Sequence, residues 1–194
     1  MAKAKVVANL DAHALTGQNA RAIASVRLEE MYSWAQYVDN SYSVQELHNL
    51  RIATKRLRYT LEVFVDTFPD ACGAILKELE HIQEELGSLH DKDVMIALLR
   101  LCLGGQDSGG EYEQSLAAVA QHAHKGRLMI DPAMMAHLLR SSEGPSPAQR
   151  EGLEALLRHL QRQRKRQYTV FREHWYKLKG QDFQHQIVTM LDVS

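Results

Sequence analysis

Apolar residues recur along this chain every three or four positions and almost never alternate, which is the period of a helix and not of a strand. The stretch after Ser43 shows it best. Leu47, Leu50, Leu57, Leu61, Phe64 and Phe68 fall on one stripe of a helix that advances 100° per residue. The same pattern predicts a first helix over Asn19 to Val38, with Ile23, Val26, Met31, Trp34 and Val38 turned inward, and a break at Asp39-Asn40-Ser41. Ser43 and Glu46 have the spacing of a capping box for the second helix, which Pro69 and Asp70 end near Phe68. A third helix is expected from Ala71 to Leu86, stopped by Gly87. A fourth would start at Asp91, as N-cap or first-turn acid, and end near Leu103, before Gly104-Gly105.

Gln106 to Gly110 reads as a link. Beyond it the periodicity predicts helices over Tyr112 to Lys125 and Pro132 to Arg140, a loop from Ser141 to Pro147, a long helix from Pro147 to Lys179 and a short one from Asp182 to Leu191. Four helices, a glycine link and four more predict an all-α fold of two antiparallel four-helix bundles. The expected organisation is a single domain over 1–194, with a flexible tail at 1–17, a first bundle at 18–105 and a shorter second bundle at 111–194.

The length of 194 residues and a hydrophobic content of 45% supply a real core, so wholesale disorder is excluded. Cys72 and Cys102 are too few and too far apart for a disulfide framework or a metal knuckle, and read as free thiols. Neither a signal peptide nor a membrane span is legible, so a soluble, cytoplasmic protein is expected. The net charge of −1 averages over strong segregation. Between Arg150 and Lys179 nine Lys/Arg stand against three Asp/Glu, and between Glu78 and Asp93 six acidic residues stand against one Lys. A generic nucleic-acid binder is basic overall, whereas this distribution points to a focused anion site.

The second helix carries that site's best candidate. His48, Arg51, Lys55 and Arg58 fall at i, i+3, i+7 and i+10, a narrow stripe roughly 120° from the apolar one, with Arg56 at its far edge. Cations about one turn apart match an extended polyanion better than one small substrate. Arg suits phosphate because its planar guanidinium gives two parallel hydrogen bonds and stays charged. His48 could be an imidazolium beside phosphate or a neutral group holding a neighbouring helix. The long late helix repeats the design: Leu153, Leu156, Leu160, Phe171, Trp175 and Leu178 share a face, with Arg158, Arg162, Lys165, Arg172 and Lys179 roughly opposite. His159, Arg162 and Arg166 echo the spacing of His48, Arg51 and Lys55, which hints at an internal duplication.

His48-x-x-Arg51-x-x-x-Lys55-Arg56-x-Arg58, followed by Leu86-Gly87-x-x-His90-Asp91-x-Asp93-Val94, resembles the CHAD family, the conserved histidine α-helical domains. That resemblance implies two pseudo-symmetric four-helix bundles around a basic groove or pore that binds inorganic polyphosphate without catalysis and without a cofactor. The length fits a stand-alone member, and association with polyphosphate granules would follow. It differs from the family in having His90 where Arg is usual. The expected polyphosphate ligands are His48, Arg51, Lys55, Arg56, Arg58 and His90 from the first half, and Arg158, Arg162, Lys165, Arg166 and Arg172 from the second. His90 beside Asp91 has a structural reading too, as part of a helix cap.

Two other functions fit the sequence. A basic helical module could dock RNA or an acidic protein, without reading base sequence. An HD-type metal phosphohydrolase would use His48, the His90-Asp91 pair and Asp131 to hold a divalent metal that activates water. Neither a Gly-rich phosphate loop ending in Lys-Ser/Thr nor a nucleophile elbow is present in the sequence.

Overall fold

A computed structural model describes residues 3–8, 10–104 and 145–192. Among these the protein is all-helical: α1 (Thr16–Tyr32), α2 (Val44–Val63), α3 (Cys72–Cys102), α4 (Pro147–Gly180) and α5 (Phe183–Asp192), with no strand. Short 3-10 turns at Ala35–Tyr37 and Val65–Thr67 follow α1 and α2. The link at Gln106 to Gly110, the helices expected over 112–125 and 132–140, and Asp131 lie outside the described residues.

α2 buries the face its leucines predict. Leu47, Leu50, Leu57 and Leu61 are buried, with Ala53 and Thr54 between them; the helix ends at Val63, short of the expected Phe68, which is buried beyond the following 3-10 turn. Thr54 enters the core because its hydroxyl donates to the Leu50 carbonyl at 2.9 Å. The inward face of α1 is Ala20, Ala24, Leu28 and Met31, whereas Ile23, Val26 and Trp34 are half-buried. Small alanines let helix backbones approach closely, a reason that hydrophobicity alone does not register. The capping box is not made: Ser43 is the N-cap of α2, but its side chain bonds no backbone N–H of the first turn.

Gly87 and Asp91 do not divide two helices. α3 runs unbroken from Cys72 to Cys102, so the expected third and fourth helices are one, and His90 and Asp91 sit inside it instead of capping an end. A single glycine costs a helix about 1 kcal/mol relative to alanine, too little to break one held by Leu79, Ile82, Leu86, Leu89 and Val94, all buried. Gly104, at φ +77°, ends the segment in the left-handed region that favours glycine.

The described chain forms two compact units. Unit 1 comprises Met1–Ser88 and Tyr168–Ser194; unit 2 comprises Leu89–Gln167. In unit 1 the C-terminal end of α4 and all of α5 complete the core begun by α1 and α2. Phe171, Trp175, Leu178, Phe183, Ile187, Met190 and Leu191 are buried there, each contributing roughly 1.5–3 kcal/mol of burial. Trp175 packs 5.7 Å from Tyr32, and the Tyr168 hydroxyl donates to the Val38 carbonyl at 2.8 Å. Burial, with Asp182 adding to it, pushes the Tyr32 phenol up to about 12. In unit 2, α3 and α4 run antiparallel. Arg164 grips Asp93, and Arg150 donates to the Leu103 carbonyl at 3.2 Å, satisfying one orphan acceptor at the end of α3.

Candidate anion-binding site

The α2 helix places Arg51, Lys55 and Arg58 one turn apart in unit 1, all half-buried. Their environments differ. Arg51 lies over Gly87, where a methyl group would stand 3.4 Å from its Nε. That Nε is buried and makes no hydrogen bond, and no carboxylate among the described residues pairs with the guanidinium. Lys55 also lacks a carboxylate partner among the described residues, and its ammonium lies 5.2 Å from the centre of the Tyr59 ring. Arg58 approaches the same ring at 5.1 Å and pairs with Glu62 at 3.3 Å and Glu80 at 3.1 Å. Tyr59 is thus a shared aromatic rest for two neighbouring cations.

Arg56 points elsewhere. Its guanidinium grips Glu30 of α1, which also accepts from Arg27 at 2.9 Å. Glu30 is only 3% exposed, so this cluster is a buried tie between α1 and α2. His48 is half-buried at the head of the row, and His90 is half-buried in the unit 2 part of α3.

Among the cations of α4, Arg158, Arg162, Lys165 and Arg166 are exposed in unit 2, and Arg158 pairs weakly with Glu154 at 3.8 Å. Arg164, absent from the expected ligand set, is the member that turns inward. It holds Asp93 with Nε and with Nη2, the latter at 3.3 Å. Burial pushes the Asp93 carboxyl above its ordinary range, and Arg164 and Arg100 only partly counter this. Arg172 belongs to unit 1. It binds Asp39 at 2.8 Å, and the Tyr176 hydroxyl donates to the other oxygen of the same carboxylate at 2.6 Å. The Tyr176 hydrogen bond, followed by Arg172, holds the Asp39 carboxyl below its usual range.

The structure thus separates the expected ligands by what already occupies them. Arg51 and Lys55 are charges without a counter-charge among the described residues. Arg58 and Arg172 are matched by glutamate and aspartate, and Arg56 is consumed in the α1–α2 tie. Side chains able to hold a metal also occur: donor atoms of Glu78, His81 and His174 all lie within 4.8 Å of one another. These residues were not among the candidates read from the sequence, where the spacing Glu78-x-x-His81 is a local signal for two of them. Their third partner, 93 positions further along the chain, gave no local signal.

Residues 2–100 match the CHAD domain, more than half of the chain, and the protein belongs to that family. The match covers α1, α2 and nearly all of α3, including the row from His48 to Arg58. CHAD domains are linked in general to polyphosphate binding and are generally non-catalytic binding modules. No curated protein and no solved structure matches the chain. No helix among the described residues is long and apolar enough to cross a membrane.

Proposed function

We propose that this protein is a non-catalytic receptor for inorganic polyphosphate, and that Arg51, Lys55 and Arg58 on α2 are the contacts unit 1 offers it. The observation that carries the reading is Arg51, a half-buried guanidinium whose Nε has no acceptor and which lacks a carboxylate partner among the described residues. A buried donor left unpaired costs roughly 1–3 kcal/mol, and more when charged. A bound oxyanion removes that cost and gains a charge-assisted bond, so the free protein is poised for an anion.

Lys55 and Arg58 extend the same row by one turn each, which suits a ligand that repeats its charge along its length. The two glutamates on Arg58 do not oppose this. Glu80 and Glu62 are about half exposed, and surface pairs of this kind contribute only about 0–1 kcal/mol. A phosphate chain can therefore replace them at little cost. Arg162 and Arg166 give unit 2 an exposed basic face of its own, proposed as a further contact for the same class of ligand.

Binding of labelled long-chain polyphosphate across a salt series, with triphosphate and a charge-matched RNA as competitors, tests the proposal. Displaced counterions make the affinity fall steeply with salt, by analogy with other polyanions. Long polyphosphate outcompeting both others is the expected result. Equal competition by RNA would make α2 a general basic face and overturn the proposal.

A further inference from the structure

Unit 1 contains a second cluster of chemical groups, away from the α2 row. Glu78, His81 and Glu85 stand at i, i+3 and i+7 on α3, which puts them on one face. His174 of α4 meets that face. Its Nδ1 lies 2.8 Å from a Glu85 oxygen and donates its N–H there. Its Nε2 faces an oxygen of Glu78 at 3.2 Å, so the ring stands between two carboxylates.

An N–H on each ring nitrogen would satisfy both carboxylates without an ion. His81 is the reason to look further. Its ring lies 4.3 Å from that of His174, tilted by 34°, and its Nε2 is 3.5 Å from Glu85. Donor atoms of Glu78, His81 and His174 all fall within 4.8 Å of one another. Around an ion with bonds of about 2.0–2.1 Å, tetrahedral ligands stand roughly 3.3 Å apart. The His174–Glu78 pair already has that separation, and His81 is the third member of the set.

We propose that Glu78, His81 and His174 form a site for a divalent transition cation, with Zn²⁺ the best fit, and that Glu85 orients His174 by accepting its Nδ1–H. Two imidazoles and one carboxylate suit Zn²⁺ and its neighbours, whereas Mg²⁺ and Ca²⁺ prefer all-oxygen shells. A carboxylate behind a ligating histidine fixes the tautomer and raises the basicity of the ring. The Glu78 side chain is 44% exposed and that of His81 57% exposed, so the ion enters from solvent and keeps a position open to water. Bound there, it joins α3 to α4 within unit 1.

The test is calorimetric titration of the EDTA-stripped full chain with Zn²⁺, repeated with Co²⁺ to read its visible spectrum. One equivalent of Zn²⁺, a four- or five-coordinate Co²⁺ spectrum, and a melting midpoint that rises with Zn²⁺ are expected. His81→Ala and Glu78→Gln, both at exposed side chains, should weaken binding at least tenfold. Glu85→Gln should weaken it by roughly 10–100-fold, whereas His185→Ala, exposed on α5, should not change it. Far-ultraviolet circular dichroism checks that each variant is folded. No saturable binding, or binding that His81→Ala and Glu78→Gln both leave intact, overturns the proposal.

Discussion

Arg51 of α2 rests on Gly87 of α3, close enough that a methyl group at position 87 would touch its Nε at 3.4 Å. The glycine is thus a seat for an arginine and not a helix stop. A contact of that length is ordinary van der Waals packing, so alanine fits, and it gains the helix propensity that glycine lacks. Gly87→Ala is expected to stabilise the protein by about 0.5–1 kcal/mol and to leave polyphosphate binding nearly unchanged. Gly87→Leu has no room beneath the guanidinium and should displace it, lowering affinity several-fold. Denaturant titration and polyphosphate binding on the two variants check both statements.

Arg51 itself should show a trade between stability and binding. Arg51→Met keeps the packing length and removes a charge that has no counter-charge among the described residues. The melting midpoint should stay level or rise. Affinity for long-chain polyphosphate should fall about tenfold, the equivalent of one charge-assisted hydrogen bond, and the salt dependence should flatten by about one unit of slope. Adding Arg58→Ala should deepen both effects on binding. A folded Arg51→Met/Arg58→Ala protein with unchanged affinity and slope would remove the α2 row from the site.

Arg56 predicts the opposite outcome from its neighbours on α2. Arg56→Ala leaves Glu30, which is 3% exposed, with Arg27 of α1 as its remaining partner among the described residues.

 The α1–α2 tie should then weaken, at a cost of about 2–3 kcal/mol for a partly exposed pair with a buried carboxylate. Polyphosphate affinity, measured on the folded fraction, should be retained. Glu30→Gln should destabilise at least as much, because two arginines lose their shared acceptor.

Acid should weaken unit 1 through Asp39. Its carboxyl is held below the ordinary value of 3.8, first by the Tyr176 hydroxyl and then by Arg172. A carboxylate with a depressed folded value contributes stability that is fully present above about 3.8 and is lost as pH falls through the folded value. Asp39→Asn should therefore lower the melting midpoint at pH 7, and the gap to the parent should close as pH drops below 3.8. Asp93 carries the opposite sign. Burial raises its carboxyl, so its ionisation costs stability as pH climbs from 3.8 through the folded value. Melting curves of both Asp→Asn variants across pH separate the two effects.

The helices were legible because their apolar stripes have the right period, and α4 was placed to within one residue at each end. Where the reading failed, the cause was distant in sequence. Gly87 looks like a stop until Arg51 is seen resting on it, 36 positions earlier. Arg56 and Arg58 are two residues apart in one basic run, yet one is claimed by Glu30 of α1 and the other by Glu80 of α3. Arg162, Arg164 and Arg166 present the same difficulty, since only Asp93 reveals that Arg164 is the member that turns inward. Periodicity reports which face is apolar; it does not report which cation has a carboxylate waiting.

The placement of Tyr168–Ser194 in unit 1 has a consequence for how the chain is made. A ribosome releases α1, α2 and the start of α3 well before Phe171, Trp175 and Ile187 exist to cover them. During that interval the nascent protein exposes the apolar surface those side chains will bury. The wait makes the half-made chain a natural client for chaperones, and its native core closes only after the last helical segment of unit 1 has been synthesised.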